Sequence, residues 1–314
     1  METATATRRV ADSSRSIGRQ TLLVLGATGT YAVACTDQGA GPPVVLLHCN
    51  ASSRHQWRGL VADLSRHYRV LAADLFGHGD SRLPGLPATF TVADEVAMVA
   101  ALIEHAGEAV HLVGHSYGGA IALKVALALQ RDVRSLTLIE PASFELLRHA
   151  GETEAWDEIR LVAERHVELI RQGEPGRAAD VFMGYWIGLP AWQATPPERR
   201  RAVCSTMPAI ARAWEIILGE RTGLGGYARL EMPALLMQGA ETRSPCARVM
   251  DLLGAAFPQS TRTTIAGAGH MAPITHAEPV NAAIATHLER NRPAGTTPWR
   301  GVETGEATRA VDCA

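Results

Sequence analysis

Six short apolar runs, separated by stretches of helical pattern, constrain the fold of this chain more than any other feature. The runs are rich in Val, Leu and Ile and occupy residues 44–47, 70–73, 110–113, 136–139, 234–237 and 263–265. Continuous apolar runs of this length are typical of strands buried on both faces, and strands that alternate with helices build a mostly parallel sheet. The pattern therefore predicts an α/β architecture.

One helix between the second and third runs is well marked. Apolar residues recur at spacings of four, three and four between residues 92 and 103. Thr91 stands at the N-cap position, Asp94 at the capping-box position, and Gly107 just after the end. These signals predict a helix that crosses over the sheet.

A glycine-containing turn at residues 26–29 resembles a dinucleotide-binding loop, because glycines after an apolar strand can cradle a pyrophosphate. No helix of useful length follows it, and no acidic residue stands at a strand end about 20 positions further on. The turn is better interpreted as a hairpin that joins strands at residues 22–25 and 31–36.

The alternation stops between residues 144 and 230. This segment contains helical stretches at residues 156–171 and 198–218, several prolines and no clear strand. It predicts a helical cap inserted into a core formed by residues 21–143 and 231–290. Residues 1–20 and 291–314 are polar and without periodicity, and we expect them to be disordered tails.

Composition excludes several classes of partner. The chain has 314 residues, 46% of them hydrophobic and 20% charged, and a net charge of -2, which lacks the basic excess that nucleic acid requires. No apolar run approaches the ~20 residues of a membrane span, and the first 20 residues do not resemble a signal peptide. Five scattered cysteines without a C-x-x-C pair fit a reducing cytoplasm. We expect a cytoplasmic protein without nucleic acid or membrane partners, whose oligomeric state the sequence does not indicate.

The third apolar run leads directly into Gly114-His115-Ser116-Tyr117-Gly118, and small apolar residues that favour a helix follow. A G-x-S-x-G sequence between a strand and a helix forms a sharp turn that presents the serine hydroxyl at the edge of the sheet. This context predicts that Ser116 is a nucleophile.

Four segments in order resemble the α/β-hydrolase superfamily. They are LLHCN at residues 46–50, DLFGHGDS at residues 74–81, the serine turn, and GAGH at residues 267–270. The resemblance implies an eight-stranded, mostly parallel sheet whose loops at the strand carboxyl ends carry a catalytic triad. A serine at position 116 argues against the dehalogenases and epoxide hydrolases of this superfamily, which have an aspartate there.

The same resemblance implies a base and an acid. His270 follows the last apolar run, where the superfamily has its histidine, and we prefer it to His276 and His287. The loop in which the acid usually lies offers only Glu241, whereas Glu140 directly follows the fourth run. We favour Glu140, because a carboxylate at the edge of the sheet needs a partner such as a histidine N–H.

The backbone N–H groups of Tyr117 and Asn50 are the predicted oxyanion hole, the second by resemblance to the residue after the superfamily's His-Gly pair. Cys49 replaces that glycine, and a buried structural thiol is its simplest interpretation.

Several other signals have simpler interpretations as structure. Asp74, His78 and Asp80 are interpreted as support for a glycine turn, so we predict no metal and no cofactor. Residues 198–201 (ERRR) are most simply a solvated helix face. Four aromatic side chains of the cap are candidates for an acyl pocket or for ordinary packing: Tyr185, Trp186, Trp192 and Trp214.

The resulting hypothesis is a serine hydrolase that cleaves an ester-like small molecule through an acyl-enzyme on Ser116. The same residues would serve a C–C bond hydrolase, a cofactor-free haloperoxidase, a lactonase or a hydroxynitrile lyase. A ligand-binding receptor with a residual triad is an alternative of another class.

Overall fold

The fold is built on one twisted sheet. A computed structural model describes residues 8–9, 19–26, 29–81, 90–257 and 259–295. Within these residues the sheet has nine strands: β1 (Arg8–Arg9), β2 (Arg19–Leu25), β3 (Thr30–Gln38), β4 (Pro43–Leu47), β5 (Arg69–Ala73), β6 (Val110–His115), β7 (Val133–Ile139), β8 (Ala234–Gly239) and β9 (Ser260–Ile265).

The strands lie in the order β1-β2-β3-β5-β4-β6-β7-β8-β9. Pairs from β5 to β9 across the sheet are parallel, whereas β1, β2 and β3 join one edge antiparallel. The predicted eight-stranded, mostly parallel sheet is confirmed in β2–β9, and each predicted run lies in a strand. The predicted hairpin is β2 and β3; residues 27–28 of its turn lie outside the described residues.

The short strand β1 corrects the prediction for the N-terminal segment. Residues 1–20 were expected to be a tail, but Arg8–Arg9 pair with β2, and β2 itself begins at Arg19. Pairing at a sheet edge satisfies backbone N–H and C=O groups and needs no apolar side chain, so hydropathy does not reveal it. The rest of residues 1–18 lies outside the described residues, as do residues 296–314 of the predicted C-terminal tail.

Helices connect the strands and form the insertion. In the described residues, two 3₁₀ turns cover Arg54–Trp57 and Gln130–Asp132. The α-helices are α1 (Arg58–Leu64), α2 (Val92–Ala106), α3 (Tyr117–Ala128), α4 (Glu145–Ala150), α5 (Thr153–Arg171), α6 (Pro175–Ile187), α7 (Leu189–Gln193), α8 (Pro197–Cys204), α9 (Met207–Gly219), α10 (Leu224–Tyr227), α11 (Ser244–Ala256), α12 (Ala272–Thr275) and α13 (Ala277–Arg290).

The helix α2 has the termini that its sequence predicts. Thr91 and Asp94 form a reciprocal capping box, and Gly107 ends the helix in the left-handed conformation. By contrast, the single helical stretch expected at residues 198–218 is two helices, α8 and α9. Pro208 lies in the first turn of α9, where its missing N–H costs nothing, and a continuous helix through that position would lose a hydrogen bond.

The sheet separates two apolar cores. In β8, Leu236 belongs to a core shared with α2, α3, α11 and the inserted helices. The neighbouring Leu235 and Met237 belong to a second core with α1 and α13. This alternation follows from the two-residue period of a strand, and burial on both faces explains why the central strands read as continuous apolar runs.

Residues 140–233, all of them described, contain the seven helices α4–α10 and no strand. They connect the carboxyl end of β7 with the amino end of the adjacent, parallel strand β8, so the chain leaves the sheet at one edge and returns at the opposite edge. In the described part of the chain no helix is both long enough and apolar enough to cross a bilayer.

Candidate active site

Ser116 lies at the sharp turn between β6 and α3. Its backbone has φ 54° and ψ −117°, a conformation that L-residues rarely adopt and that costs about 1–3 kcal/mol. A Cβ on Gly114 would overlap the carbonyl of Gly118, and one on Gly118 would overlap the carbonyl of Leu47 at the end of β4. The two flanking glycines are therefore required by close backbone approach.

Strand register places Glu140 beside this turn. His115 pairs with Ile139, so Ser116 and Glu140 follow neighbouring strands at the same edge of the sheet. Glu140 also has a positive φ, 41°, and is buried. Two strained non-glycine residues in adjacent strand ends indicate a site that the surrounding fold holds in place.

A continuous chain of hydrogen bonds joins Ser116, His270 and Glu140. His270 Nε2 lies 2.9 Å from Ser116 Oγ, and His270 Nδ1 lies 2.7 Å from Glu140 Oε2. All three side chains are buried to more than nine tenths. With Nδ1–H donating to the carboxylate, Nε2 is free to accept the serine proton.

Glu140, rather than Glu241, contacts His270. Glu140 Oε1 accepts from the Gly239 N–H at 2.8 Å, and Oε2 also accepts from Thr242 Oγ1 at 2.6 Å. Burial by itself would raise the pKa of Glu140, but these bonds and the one from His270 outweigh it, and the pKa is lowered. Glu241 is exposed on the same loop.

The two residues predicted to donate to the oxyanion both lie close to Ser116. Tyr117 is the first residue of α3, where N–H groups have no acceptor within the helix. Asn50 follows β4 and lines the same cavity as Ser116 and His270. Cys49 is buried, as expected, and also lines this cavity; burial raises the pKa of its thiol to about 12, so it is neutral.

Sequence reasoning missed a second set of hydrogen bonds, which runs through Gln56 and His115. Cys49 N–H donates to Gln56 Oε1 at 3.2 Å, and Gln56 Nε2 donates to His115 Nδ1 at 3.1 Å. His115 Nε2 then donates to the His270 backbone carbonyl at 2.9 Å. Burial, reinforced by the neighbouring His270, lowers the pKa of His115 to about 3, so the ring is neutral and has one donor and one acceptor. The set ties together the loops that carry Asn50, Ser116 and His270.

Cys246 is another residue that sequence reasoning missed. It lies in the first turn of α11, fully buried, with Sγ 3.7 Å from His270 Nδ1. Burial raises the pKa of this thiol well above its usual range, and the negative charge of Glu140 adds to the effect. The signal for it in the sequence is only indirect: the resemblance to the superfamily implies an acid in the loop just before α11.

The glycine turn at residues 74–81 has the structural role that was predicted for it. Buried Asp74 accepts from the Arg54 backbone N–H at 2.6 Å, from the Asp80 N–H at 2.8 Å and from the Arg54 guanidinium. His48 Nε2 accepts from the Leu75 N–H at 3.0 Å, which fastens this turn to the loop after β4.

A cavity of about 560 Å³, the nucleophile chamber, opens over Ser116 and His270. Of the four cap aromatics, Trp186 and Trp192 line it; Tyr185 and Trp214 do not appear among its described lining residues. The Trp186 ring stacks on the His270 ring with centroids 4.0 Å apart and an angle of 26° between their planes. The inserted helices therefore form the roof of the chamber and contact the histidine directly.

Comparison with known proteins identifies the family. The family model for the alpha/beta hydrolase fold matches residues 42–277, about three quarters of the chain. The chain belongs to the α/β-hydrolase family. An esterase structure from Thermogutta terrifontis has the same fold, with a TM-score of 0.70 and 24% identity over 87% of this chain and all of that one.

Curated relatives of this α/β-hydrolase carry out different reactions. A haloalkane dehalogenase from Sphingobium indicum is 26% identical over 83% of this chain and 93% of its own length. A 2-hydroxy-6-oxo-2,4-heptadienoate hydrolase from Pseudomonas putida is 38% identical over 117 residues, which are 35% of this chain. The chain spans less than half the length of that second relative, 42%. Family membership alone therefore leaves several reactions open.

Proposed function

We propose that this α/β-hydrolase is a serine hydrolase that cleaves an ester-like small molecule through an acyl-enzyme on Ser116. The observation that carries the proposal is the continuous hydrogen bonding from Ser116 through His270 to Glu140 at the base of the nucleophile chamber. A serine is a poor nucleophile until a positioned base accepts its proton, and this geometry supplies that base.

The reaction follows from the positions of these groups. His270 Nε2 takes the Ser116 proton while Oγ bonds to the ester carbonyl carbon, and the oxyanion accepts hydrogen bonds from the Tyr117 and Asn50 N–H groups. The intermediate then collapses: the C–O bond to the alcohol breaks, and His270 returns the proton to the leaving oxygen. Water, deprotonated by His270, attacks the acyl-enzyme and releases the acid and Ser116. Glu140 accepts the Nδ1–H throughout and stabilises the imidazolium.

Active-site labelling and turnover test the proposal together. A fluorophosphonate should modify wild-type protein at Ser116 and leave Ser116→Ala unmodified. The same substitution should lower kcat on p-nitrophenyl esters by at least about a thousandfold. Failure of labelling, or full activity in Ser116→Ala, would contradict the proposal. A burst without steady turnover across an ester panel would favour the receptor alternative.

C–C bond hydrolysis is a second candidate, supported by the match to the heptadienoate hydrolase from Pseudomonas putida. The two reactions separate on paired substrates: an ester, and an enol-containing dienoate in which a ketone replaces the ester carbonyl. Cleavage of the dienoate is measured by the loss of its colour. A higher kcat/KM for the dienoate than for the ester would favour the second candidate.

A further inference from the structure

Arg199 stands where two cavities meet. Beside the nucleophile chamber lies a second cavity of about 520 Å³, the side chamber. The two share the wall residues Ala51, Ser52, Arg199, Val203 and Ile274. Arg199 belongs to the segment interpreted as a solvated helix face. Its side chain is indeed exposed, but it also borders both chambers.

The two chambers differ in lining. The cap side of the nucleophile chamber is formed largely by apolar side chains: Phe182, Met183, Trp186, Ile187 and Trp192. The side chamber is bordered by polar groups of the loop after β4, among them Ser53, His55 and Gln56, and by Arg58. An extended ligand that reaches from Ser116 past Arg199 would therefore pass from an apolar to a polar environment.

The charge of this lining has one sign. Among the described lining residues of both chambers, Arg58 and Arg199 are the permanent charges, and no Asp or Glu is present. Neither guanidinium forms an ion pair with a carboxylate of the described residues. The next residue in α8 is different: Arg200 lies 3.8 Å from Asp180 and stacks over Trp192. Arg199 therefore keeps its hydrogen-bond donors available for a ligand.

We propose that Arg199 binds a carboxylate carried by the substrate, with Arg58 adding positive charge to the side chamber. The preferred substrates are then esters in which an apolar segment separates the scissile carbonyl from a terminal carboxylate. A guanidinium matches the planar geometry of a carboxylate and pairs with it through two parallel hydrogen bonds. This inference rests on the proposed function, because it names the substrate class of the same site.

The test compares pairs of esters in which the far carboxyl is either charged or methylated. They are the mono-p-nitrophenyl esters of linear dicarboxylic acids and the same compounds with the far carboxyl methylated, at about pH 7.5, where the free carboxylate is ionised. Adipate and suberate pairs vary the spacer. The better of the two pairs gives the charge preference, defined as the ratio of kcat/KM for acid and methyl ester. We expect a charge preference of at least about tenfold in wild-type protein.

Substitutions within one helix assign the effect. Arg199→Gln should lower the charge preference by about tenfold, mainly through KM. Arg201→Gln is the matched control, because Arg201 is exposed in the same helix and lines neither chamber, and it should leave the charge preference unchanged. The charge preference should also fall when NaCl rises from about 0.02 M to about 0.5 M, because salt screens an exposed charge.

The inference and the proposed function fail in different ways. If wild-type protein hydrolyses the methyl esters but shows a charge preference near one for every spacer, the carboxylate site is wrong and the serine hydrolase stands. A loss of charge preference in Arg201→Gln equal to that in Arg199→Gln would also overturn the site. If neither ester is hydrolysed and the fluorophosphonate does not label Ser116, the proposed function itself is wrong.

Discussion

The loops at the carboxyl ends of the strands and the helices of the insertion face each other across one chamber, but they are built differently. The strand-end loops are joined by short hydrogen bonds between buried groups, as in the contacts of Glu140 with His270, Thr242 and Gly239. The inserted helices meet them mainly with rings and apolar chains, and the ring of Trp186 stacks on that of His270.

This difference teaches which property each region controls. Hydrogen bonds fix the distances between catalytic groups and the positions of their protons, and a small displacement of these groups lowers the reaction rate strongly. Apolar walls tolerate changes of shape and select ligands by size and by area buried. We therefore expect substitutions in the strand-end loops to change kcat, and substitutions in the cap to change the choice of substrate. The following experiments sharpen or break that comparison.

The largest effect is expected at Glu140. Glu140→Gln keeps the size of the side chain but removes the charge that stabilises the imidazolium. It also places an amide N–H donor where His270 Nδ1–H needs an acceptor, so kcat should fall by about 10³–10⁴-fold. Steady-state hydrolysis of a p-nitrophenyl ester measures it. Glu241→Gln, on the exposed neighbouring loop, should stay within about twofold of wild type. A loss confined to Glu241→Gln would show that the acid has been misassigned.

A smaller loss is expected when the connection through Gln56 is removed. Gln56→Leu leaves the Cys49 N–H without its acceptor and frees the His115 ring, which holds the His270 carbonyl. Displacement of the loops should lower kcat by about 10- to 100-fold with a smaller change in KM.

Gln38→Leu is the control for Gln56→Leu, since Gln38 bonds to Ser65 far from the chamber. If the two variants have equal kcat, the connection through His115 does not position the catalytic residues. The expectation that the strand-end loops control kcat would then fail for this connection.

In the cap, Trp186→Leu should alter selectivity more than rate. The stacked ring stabilises the imidazolium by a cation–π contact, so its loss should lower kcat by about threefold to tenfold, and Trp186→Phe should restore part of it. The wider chamber should also shift the preferred acyl length in a p-nitrophenyl ester series. Trp156→Leu removes a cap tryptophan that lines neither chamber, and a similar shift in that variant would contradict the assignment.

The smallest effect concerns stability rather than rate. Ser116→Gly relieves the positive φ, whereas Ser116→Ala keeps it, so the glycine variant should be more stable by about 1 kcal/mol in urea unfolding. At Ser65, which has an ordinary φ of −62°, the order of the two substitutions should reverse. Equal stability of the two Ser116 variants would show that the turn is not strained.

The sequence predicted those parts of the molecule that depend on local pattern. Periodicity predicted the buried strands, and capping residues predicted the ends of α2. The turn around Ser116 was predicted from its two flanking glycines, which close backbone contact requires. Glu140 was favoured over Glu241 because a carboxylate directly after a buried strand needs a partner, and the structure places it against His270. The role of these residues in catalysis stays a prediction until the variants are measured.

Other features depend on tertiary contacts that leave no local signal. Gln56 lies in a short 3₁₀ turn, 59 residues before its partner His115, and no spacing rule connects them. Cys246 contacts His270 through the packing of the first turn of α11, 24 residues before the histidine in the sequence. Arg199 sits in a run of charges, and only the fold distinguishes it from Arg200 and Arg201. The orientation of the cap helices decides all three arginine environments.

The insertion also makes the molecule modular. Ser116 and Glu140 both precede residues 144–230, and after this segment the chain re-enters the sheet at β8, the strand that is parallel and adjacent to the one it left. We expect that another segment connecting the same two strand ends can replace it without altering the strand register. Exchange of residues 144–230 between related hydrolases would then combine the cap of one protein with the catalytic loops of another. The two ends of this segment are therefore suitable crossover points for making chimeras.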